Sequence, residues 1–396
     1  MTVAALRSGP FRVYFAGQVV SLSGTWMHLV AQRWLVWDMA HDEVVVGSIA
    51  AAGYAATLAF SFLGGVASDR FDRRRLMIVT QIAALVLSAA LGALCLIGYP
   101  RLWEVTVVVV GLGALNAFDL PARHALVADL VPADALASAV AMNQLLFNVA
   151  RAVGPAIAGV LLARTAIGVG GVFLLNAASY LAIIVPLLSL PVVRGPSAPA
   201  SDARFSDGLR FVARARTVAG VLLLVLAAGT FGWSVPIMLP AFAGRTLAGG
   251  PGLYGTLTSA IAGGAIAGAL LLAWASRAPK LVVIPCGLAV WCGALLAASF
   301  ARGHASAIAL FAVAGLGMIL FTGTSNLLVQ STAPDELRGR AMGVWSTVYA
   351  IAEPIGSVEA GVTARVLGPA SAIRLSAAAM AGAGAIWLAL TRRRTA

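Results

Sequence analysis

Two ionisable residues lie in the middle of long apolar stretches of this sequence. Arg151 and Glu353 are 202 positions apart, and each has neighbours at helical spacing, most of them polar. These neighbours are Gln144, Asn148 and Pro155 for Arg151, and Ser346, Tyr349 and Ser357 for Glu353. A charged side chain in such a stretch needs water, an opposite charge or a bound molecule beside it. We therefore predict that Glu353 takes up and releases protons and that Arg151 binds substrate or tunes Glu353; a static charge network is the alternative.

A second polar face lies on the first apolar stretch. Its members are three or four positions apart, which places them on one side of a helix; they are Gln18, Ser21, Thr25, His28 and Gln32. Lipid does not solvate such a face, so it points at a water-filled cavity or at hydrogen-bonding partners on neighbouring helices. The substrate cavity is expected to be lined by Gln18, Thr25, His28, Gln32, Gln144, Asn148, Arg151, Asn326 and Glu353. His28 and Glu359 are further candidates for the proton carrier, with a hydrogen-bonding histidine as the plainer alternative.

Sets of residues for metal binding or covalent catalysis are not recognisable in the sequence. The three cysteines, Cys95, Cys286 and Cys292, lie inside apolar runs without metal-ligand or disulfide spacing. No phosphate-binding loop or nucleophile motif occurs. We expect no enzyme activity, no cofactor and no metal site.

The composition is that of a protein that crosses a membrane many times. Of 396 residues, 60% are hydrophobic and 11% are charged, whereas soluble domains have about 25% charged residues. Apolar segments of about twenty residues are long enough to span a bilayer as helices, and residues 217–242 are expected to form one of them. The predicted fold is an all-α integral membrane protein with twelve transmembrane helices in two pseudo-symmetric six-helix bundles. Residues 1–190 form the first bundle, 191–216 a cytoplasmic loop with a short amphipathic helix, and 217–396 the second bundle.

The basic residues set the predicted orientation. The net charge is +12, which in a soluble protein would suggest a nucleic-acid partner. Here most of the arginines fall in segments that twelve spans place on one side, and the densest cluster runs from Asp69 to Arg75. Basic loops stay on the cytoplasmic side. We therefore predict a multi-pass protein of the cytoplasmic (inner) membrane with both termini inside and no nucleic-acid partner.

The two halves of the sequence are related to each other. At the same offset of 202, Pro132, Gly154 and Gly159 correspond to Pro334, Gly356 and Gly361. Related six-helix halves are typical of transporters whose halves rock about a central site.

Three motifs resemble those of the major facilitator superfamily. Gly65-x-x-x-Asp69-Arg70-x-x-Arg73-Arg74 resembles its signature loop, and Gly154-Pro155-Ala156-Ile157-Ala158-Gly159 resembles the Gly-Pro motif of its proton-coupled exporters. The segment from Pro334 to Arg340 is similar to that of the branch containing the enterobactin exporter. The resemblance implies that Gly65, Asp69, Arg70, Arg73 and Arg74 form a conformational latch, and that Gly154, Pro155 and Gly159 bend the fifth helix. Residues 275–280, the corresponding loop of the second half, lack an acidic residue, which implies a latch carried by the first half.

The resemblance also implies a function. A proton-coupled secondary active transporter is expected to export a small organic molecule, siderophore-like or drug-like, by alternating access. Its partners would be the substrate, protons and membrane lipid, and the fold is expected to work as a monomer. A metabolite importer or uniporter of the same fold, and a non-transporting membrane scaffold or sensor, remain as alternatives.

Overall fold

The structure is a computed structural model that describes residues 4–98, 100–163, 167–190, 205–274 and 278–392. Every regular element in these ranges is helical, so the all-α expectation is confirmed. Expectations for residues 191–204 of the central loop, for 275–277 of a later loop and for the terminal Arg393 and Arg394 lie outside the described residues.

Fourteen α-helices are numbered here in chain order. The first six are α1 (Gly9–Ala40), α2 (Glu43–Arg70), α3 (Arg73–Ile97), α4 (Leu102–Asp129), α5 (Leu136–Ala163) and α6 (Gly168–Ser189). The next four are α7 (Phe205–Arg214), α8 (Arg216–Phe231), α9 (Val235–Ala241) and α10 (Pro251–Trp274). The last four are α11 (Lys280–Ala298), α12 (His304–Thr332), α13 (Asp335–Leu367) and α14 (Pro369–Arg392).

Ten helical segments of the described chain are long and apolar enough to cross a membrane. Helices α1 and α13 are long as well, at 32 and 33 residues, but their polar residues lower their hydropathy below that of the ten. These two helices carry the polar face from Gln18 to Gln32 and the Glu353 region. A spanning helix with a polar face needs protein rather than lipid beside that face.

The chain divides into two compact units, each taken here as far as the structure describes it. Unit 1 comprises Met1–Ala40 and Ala52–Pro199, and unit 2 comprises His41–Ala51 and Ala200–Ala396. Helix α2 therefore begins in unit 2 and continues in unit 1. The boundaries of the two six-helix bundles stay a prediction.

Unit 1 is organised around α1 and α3. Helix α1 packs on α5 and α6, and α3 packs on α4 and α6. The large side chains at the centre of this packing are Phe11, Tyr14, Met77, Leu126 and Ile183. Asp72 begins α3 by accepting a 3.1 Å hydrogen bond from the backbone N–H of Arg75, as an N-cap residue does.

Unit 2 is organised around α12 and α13. Helix α12 packs on α10 and α11, and α13 packs on α8 and α7. The α10–α12 crossing is especially close: a Cβ added to Gly264 would overlap the carbonyl oxygen of Ala312, and one added to Gly315 would overlap that of Ile261. Small residues let membrane helices approach until their backbones touch, so van der Waals packing holds this pair together.

The span expected over residues 217–242 is confirmed, since Arg216–Thr246 is one of the ten segments able to cross a membrane, but its helix is interrupted. Helix α8 ends at Phe231, a turn covers residues 232–234, and α9 begins at Val235. The Ser234 hydroxyl donates a 2.7 Å hydrogen bond to the carbonyl oxygen of Thr230, which satisfies an acceptor that the broken helix leaves free. Pro236 has no N–H to continue the ladder. Gly232 and Pro236 were the sequence signal for this break.

Candidate functional site

A buried ion pair lies at the centre of unit 1. Asp119 and Arg123, one turn apart on α4, are paired, and their side chains are only 6% and 14% exposed. Asp119 also accepts hydrogen bonds from the Gln81 amide at 2.8 Å and from the Thr80 hydroxyl at 3.2 Å, both on α3. A buried carboxylate is tolerated when such donors and an opposite charge satisfy it. The arrangement ties α3 to α4.

Helix α1 completes this network through Gln18. With its amide oriented so that the oxygen faces Arg123, the Gln18 side chain accepts hydrogen bonds from Nε and Nη1 of the guanidinium, each at 3.0 Å. Amide orientation is assigned from such networks. The Tyr14 hydroxyl, one turn earlier on α1, is buried without a hydrogen-bond partner in the described chain. All the residues of this network belong to unit 1, which fits a brace between α1, α3 and α4.

A second buried polar network surrounds His28. Its Nδ1 lies 3.5 Å from the Ser88 hydroxyl of α3, which accepts a 3.1 Å hydrogen bond from the Asn176 amide of α6. The same amide donates to the Tyr180 hydroxyl at 3.4 Å. The His28 ring also packs on Phe173, with 4.7 Å between ring centroids. His28 thus joins three helices of unit 1.

The polar face of α1 is mostly buried. Gln18, His28 and Gln32 are 1%, 3% and 5% exposed, whereas Thr25 is exposed. Gln18 and His28 meet side chains of neighbouring helices, Arg123 of α4 and Ser88 of α3. That Gln18, His28 and Gln32 line the substrate cavity stays a prediction. Hydrogen bonding between helices, the alternative interpretation of this polar face, accounts for the contacts of Gln18 and His28. A role for Thr25 in substrate binding stays a prediction.

The polar face of α5 carries an accessible cation beside aromatic rings. Arg151 is half-buried, and its guanidinium carbon lies 5.9 Å from the centre of the Trp26 ring. Trp26 in turn meets Phe147 edge-on, with 5.5 Å between centroids. Gln144 is exposed, and the Asn148 amide donates to the Gln144 carbonyl at 2.9 Å. A cation over an aromatic face is a suitable surface for an organic molecule with aromatic or anionic groups.

The Gly-Pro motif brings α5 against α1 at this place. A Cβ added to Gly154 would lie 2.7 Å from both the Ser23 carbonyl oxygen and the Trp26 Cβ. Helix α5 nevertheless continues without a break through Pro155 and Gly159. The motif therefore acts as a close helix contact that places Trp26 next to the α5 face, and its role in export stays a prediction.

Unit 2 contains a counterpart of this arrangement. The Trp233 ring, in the turn between α8 and α9, stacks on Tyr349 of α13 with 3.8 Å between centroids. Glu353 follows one turn later on α13 and is half-buried. A Cβ added to Gly356 would overlap the carbonyl oxygen of Thr230, so this glycine presses α13 against the end of α8. Discontinuous membrane helices commonly form the binding sites of transporters.

Two other candidates of unit 2 have different surroundings. Glu359 is half-buried, and its Oε2 is buried without a hydrogen-bond partner among the described residues. Asn326 of α12 accepts a 2.7 Å hydrogen bond from the Gln330 amide one turn further on. Both stay predictions as transport residues.

Some residues of the signature loop are exposed, and others form ion pairs or hydrogen bonds. Asp69 and Arg70 are exposed. Arg73 pairs with Asp129 at 2.7 Å, and the Arg74 guanidinium donates to the carbonyl oxygens of Leu188 and Leu190 at the end of α6. Arg73 and Arg74 thus hold helix ends together inside unit 1, and the latch role of Gly65, Asp69, Arg70, Arg73 and Arg74 stays a prediction.

Two ion pairs that the sequence did not indicate hold the beginning of α2 within unit 2. Arg245 pairs with Glu43 at 2.7 Å, and Arg365 pairs with Asp42 at 2.6 Å. Arg245 also donates to the His41 carbonyl at 2.7 Å. The Glu43 side chain is 2% exposed, so it depends on its arginine. Little in the sequence indicates these two ion pairs, because acidic and basic residues at the ends of spans are common in any membrane protein.

Other polar residues that sequence reasoning missed are inside the apolar helices of unit 1. Gln81 and Ser88 are seven positions apart on α3, and Asn176 is on α6. Their spacing and their rarity in these stretches could have indicated them. No group of three or more His, Cys, Asp or Glu side chains in the described part of the chain could hold a metal ion.

Comparison with known proteins gives a consistent result. A family model described as transmembrane secretion effector matches residues 1–395. The chain is 27% identical over 384 residues to the multidrug efflux pump Tap of Mycolicibacterium fortuitum, covering 91% of each protein. It is 25% identical over 389 residues to the enterobactin exporter EntS of Shigella boydii, covering 95% of this chain and 90% of that one.

Solved structures agree on the fold. The bacterial homologue of the human lysosomal transporter Spinster, inward-facing and occupied, matches with a TM-score of 0.77 at 14% identity, covering 98% of this chain and 97% of that one. The nucleoside transporter NupG matches with a TM-score of 0.76 at 10% identity, covering 97% and 99%. At these identities the likeness concerns the fold alone.

Proposed function

The chain belongs to the transmembrane secretion effector family of major facilitator transporters, and on that premise we propose that it exports a small organic molecule in exchange for protons. It is therefore a multi-pass membrane transporter and not an enzyme. We infer that it lies in the cytoplasmic membrane with both termini inside, because most of its arginines then lie on the cytoplasmic side. We further propose that it works as a monomer.

The observation that carries the proposal is the pair of charged, aromatic-lined helix faces. Unit 1 presents Arg151 beside Trp26, and unit 2 presents Glu353 one turn from the Trp233–Tyr349 stack. Each face lies next to a glycine-mediated helix crossing, at Gly154 and at its counterpart Gly356. We assign substrate binding to Arg151 and its aromatic neighbours, and proton binding to Glu353.

The substrate class follows from the same side chains. Aromatic rings and a guanidinium together bind flat organic groups and anionic oxygens. A siderophore-like or drug-like molecule has both, and relatives of this chain are named as an enterobactin exporter and a multidrug efflux pump. His28 is set aside as proton carrier because it is enclosed by Phe173 and Ser88; Glu359 is the second choice.

The energetics of proton exchange are sufficient for export. One proton moving inward gains about 2.3 kcal/mol per 100 mV of membrane potential. A tenfold concentration gradient of a neutral substrate requires about 1.4 kcal/mol. One proton per substrate at ~100 mV therefore supports a gradient of more than tenfold.

Transport in inverted membrane vesicles tests the proposal. Vesicles containing the wild-type protein should accumulate a catecholate siderophore or a fluorescent drug-like dye, and a protonophore should abolish the accumulation. Arg151→Gln should raise KM by about tenfold or more, since a charge-assisted hydrogen bond contributes about 1.5–3 kcal/mol. Arg302→Gln, which removes an exposed charge, is the matched control.

Three results would contradict the proposal. Accumulation only in right-side-out vesicles would indicate an importer. Equilibration that is insensitive to the protonophore would indicate a uniporter. Absence of flux for every compound, with folded protein present, would favour a scaffold or sensor.

A further inference from the structure

A basic cavity lies where helix α7 meets the first turns of α13. Its volume is about 600 Å³. Three guanidinium groups line it, those of Arg210 and Arg214 on α7 and of Arg340 on α13, together with the carboxylate of Asp207 and the apolar side chains of Phe211 and Leu337. The lining contains three arginines and one aspartate, so it carries a net positive charge. The cavity and all its lining residues belong to unit 2.

The cavity is built by a fixed contact between the two helices. Gly208 packs on the backbone of Arg340, where an added Cβ would lie 2.7 Å from the carbonyl oxygen. Asp207 accepts from Arg340 at 3.2 Å and lies 3.7 Å from Arg210. Val212, on the same helix, is 7% exposed. Helix α7 therefore rests with one face on the protein, while its arginines remain on the accessible side.

The positive charge of the cavity is only partly compensated. Asp207 is shared by Arg340 and Arg210. Arg214 is exposed and makes no ion pair within the described chain. The Nε of Arg340 is buried and has no hydrogen-bond partner in the same residues. Guanidinium groups in this state match phosphate oxygens, to which they donate in pairs.

We propose that this cavity binds the phosphate group of an anionic phospholipid of the inner leaflet. An amphipathic helix that precedes a spanning helix lies in the membrane interface, and α7 is followed after Ala215 by the spanning helix α8. Phe211 and Leu337 would contact the glycerol and upper acyl region, and the arginines the headgroup. Inorganic phosphate offers the same oxygens to the arginines, so the experiment must distinguish it from a phospholipid. The proposal goes beyond transport and rests on the cytoplasmic placement of α7.

Binding of lipid to the purified full-length protein tests this site. The protein in detergent is titrated with short-chain phosphatidylglycerol, with the corresponding phosphatidylcholine and with inorganic phosphate, and occupancy is read by native mass spectrometry. Phosphatidylglycerol should bind more tightly than phosphatidylcholine. Arg214→Gln should raise the Kd for phosphatidylglycerol by about fivefold, the contribution expected of one arginine at an anionic surface.

A control variant distinguishes binding in this cavity from a general attraction of anionic lipid to the basic protein surface. Arg75 is an arginine of another loop with a side chain 80% exposed, and Arg75→Gln removes the same charge. It should leave the Kd unchanged, and circular dichroism should show all variants folded. Arg210→Gln is the second variant, in case Arg214→Gln disturbs α7.

Each outcome decides the proposal. Arginine-dependent binding of phosphatidylglycerol supports it with a lipid as the source. Equal, arginine-dependent binding of inorganic phosphate, with no preference for lipid, overturns the lipid assignment. Equal weakening by Arg75→Gln, or no effect of Arg214→Gln and Arg210→Gln, overturns the site itself. Failure of transport in the vesicle experiments leaves this binding measurement unaffected, so the two proposals fail separately.

Discussion

Removing the guanidinium of Arg123 should destabilise the protein strongly. Asp119 would then be left with a side chain 6% exposed and with only the Gln81 and Thr80 donors. Breaking a buried ion pair by removing one partner costs about 3–5 kcal/mol, because the remaining charge stays buried. We expect Arg123→Gln to lower the free energy of unfolding by an amount in that range. Gln18 would also lose its two hydrogen bonds from the guanidinium.

A double-mutant cycle isolates the pair. Asp119→Asn and Arg123→Gln are measured singly and together, by titrating SDS into the detergent-solubilised protein and following helix content. The double variant should be more stable than the sum of the single effects predicts, by about 2–3 kcal/mol, since residues in one buried network couple at that scale. The reason is that the second substitution removes the charge that the first one left buried.

An exposed pair of the same residue types serves as the control for this cycle. Asp335 and Arg338 are 82% and 51% exposed, and exposed pairs contribute about 0–1 kcal/mol. Their coupling should be at most about 0.5 kcal/mol. Additive effects at Asp119 and Arg123, or a coupling equal to that of the exposed pair, would refute the reasoning that burial makes each charge of this pair depend on the other.

Three further predictions concern packing and ion pairs. Gly264→Ala should separate α10 from α12 and lower thermal stability, at a cost of about 1–3 kcal/mol, whereas Gly263→Ala, with nothing within 4 Å of the added Cβ, should not; equal melting temperatures would contradict the packing described. Gly64→Ala should also destabilise the protein, because the added Cβ would overlap the Ala117 carbonyl oxygen. Gly65→Ala, whose added Cβ has nothing within 4 Å, should leave stability unchanged but slow transport through the latch role expected of Gly65. Arg245→Ala should lower the free energy of unfolding by about 3 kcal/mol, because Glu43 would stay buried without its ion-pair partner. An unchanged melting temperature would contradict a stabilising role for this pair.

The sequence was sufficient for the fold because membrane helices have a strong and simple signal. Length, apolarity and arginine placement indicated the spans, and the motifs at Gly65–Arg74 and Gly154–Gly159 resembled those of the major facilitator superfamily. The break at Gly232 was missed, since the apolar run continues through it and only Gly232 and Pro236 indicate a turn. Helical periodicity correctly grouped Gln18 with His28 on one face, but it could not say whether that face meets water or other helices.

The candidate site was predictable only in part for a related reason. Charges in apolar stretches, such as Arg151 and Glu353, are visible in a sequence because their burial is costly. Tyr349 lies one turn before Glu353 and was visible from its spacing, whereas Trp26 and Trp233 come from other segments and only packing brings them to Arg151 and Tyr349. Asn176 and Ser88, 88 positions apart, are hydrogen-bonded through tertiary contact that no local pattern records.

Coupling of substrate to protons is the central claim, and proton flux in proteoliposomes tests it most directly. An internal pH dye reports proton movement when a siderophore or a drug-like dye is added, for the wild type, Glu353→Gln and Glu359→Gln. The account predicts substrate-triggered proton movement in the wild type and in Glu359→Gln, and its loss in Glu353→Gln. Retention of the flux in Glu353→Gln with loss in Glu359→Gln, or no flux in the wild type with any compound, would contradict it.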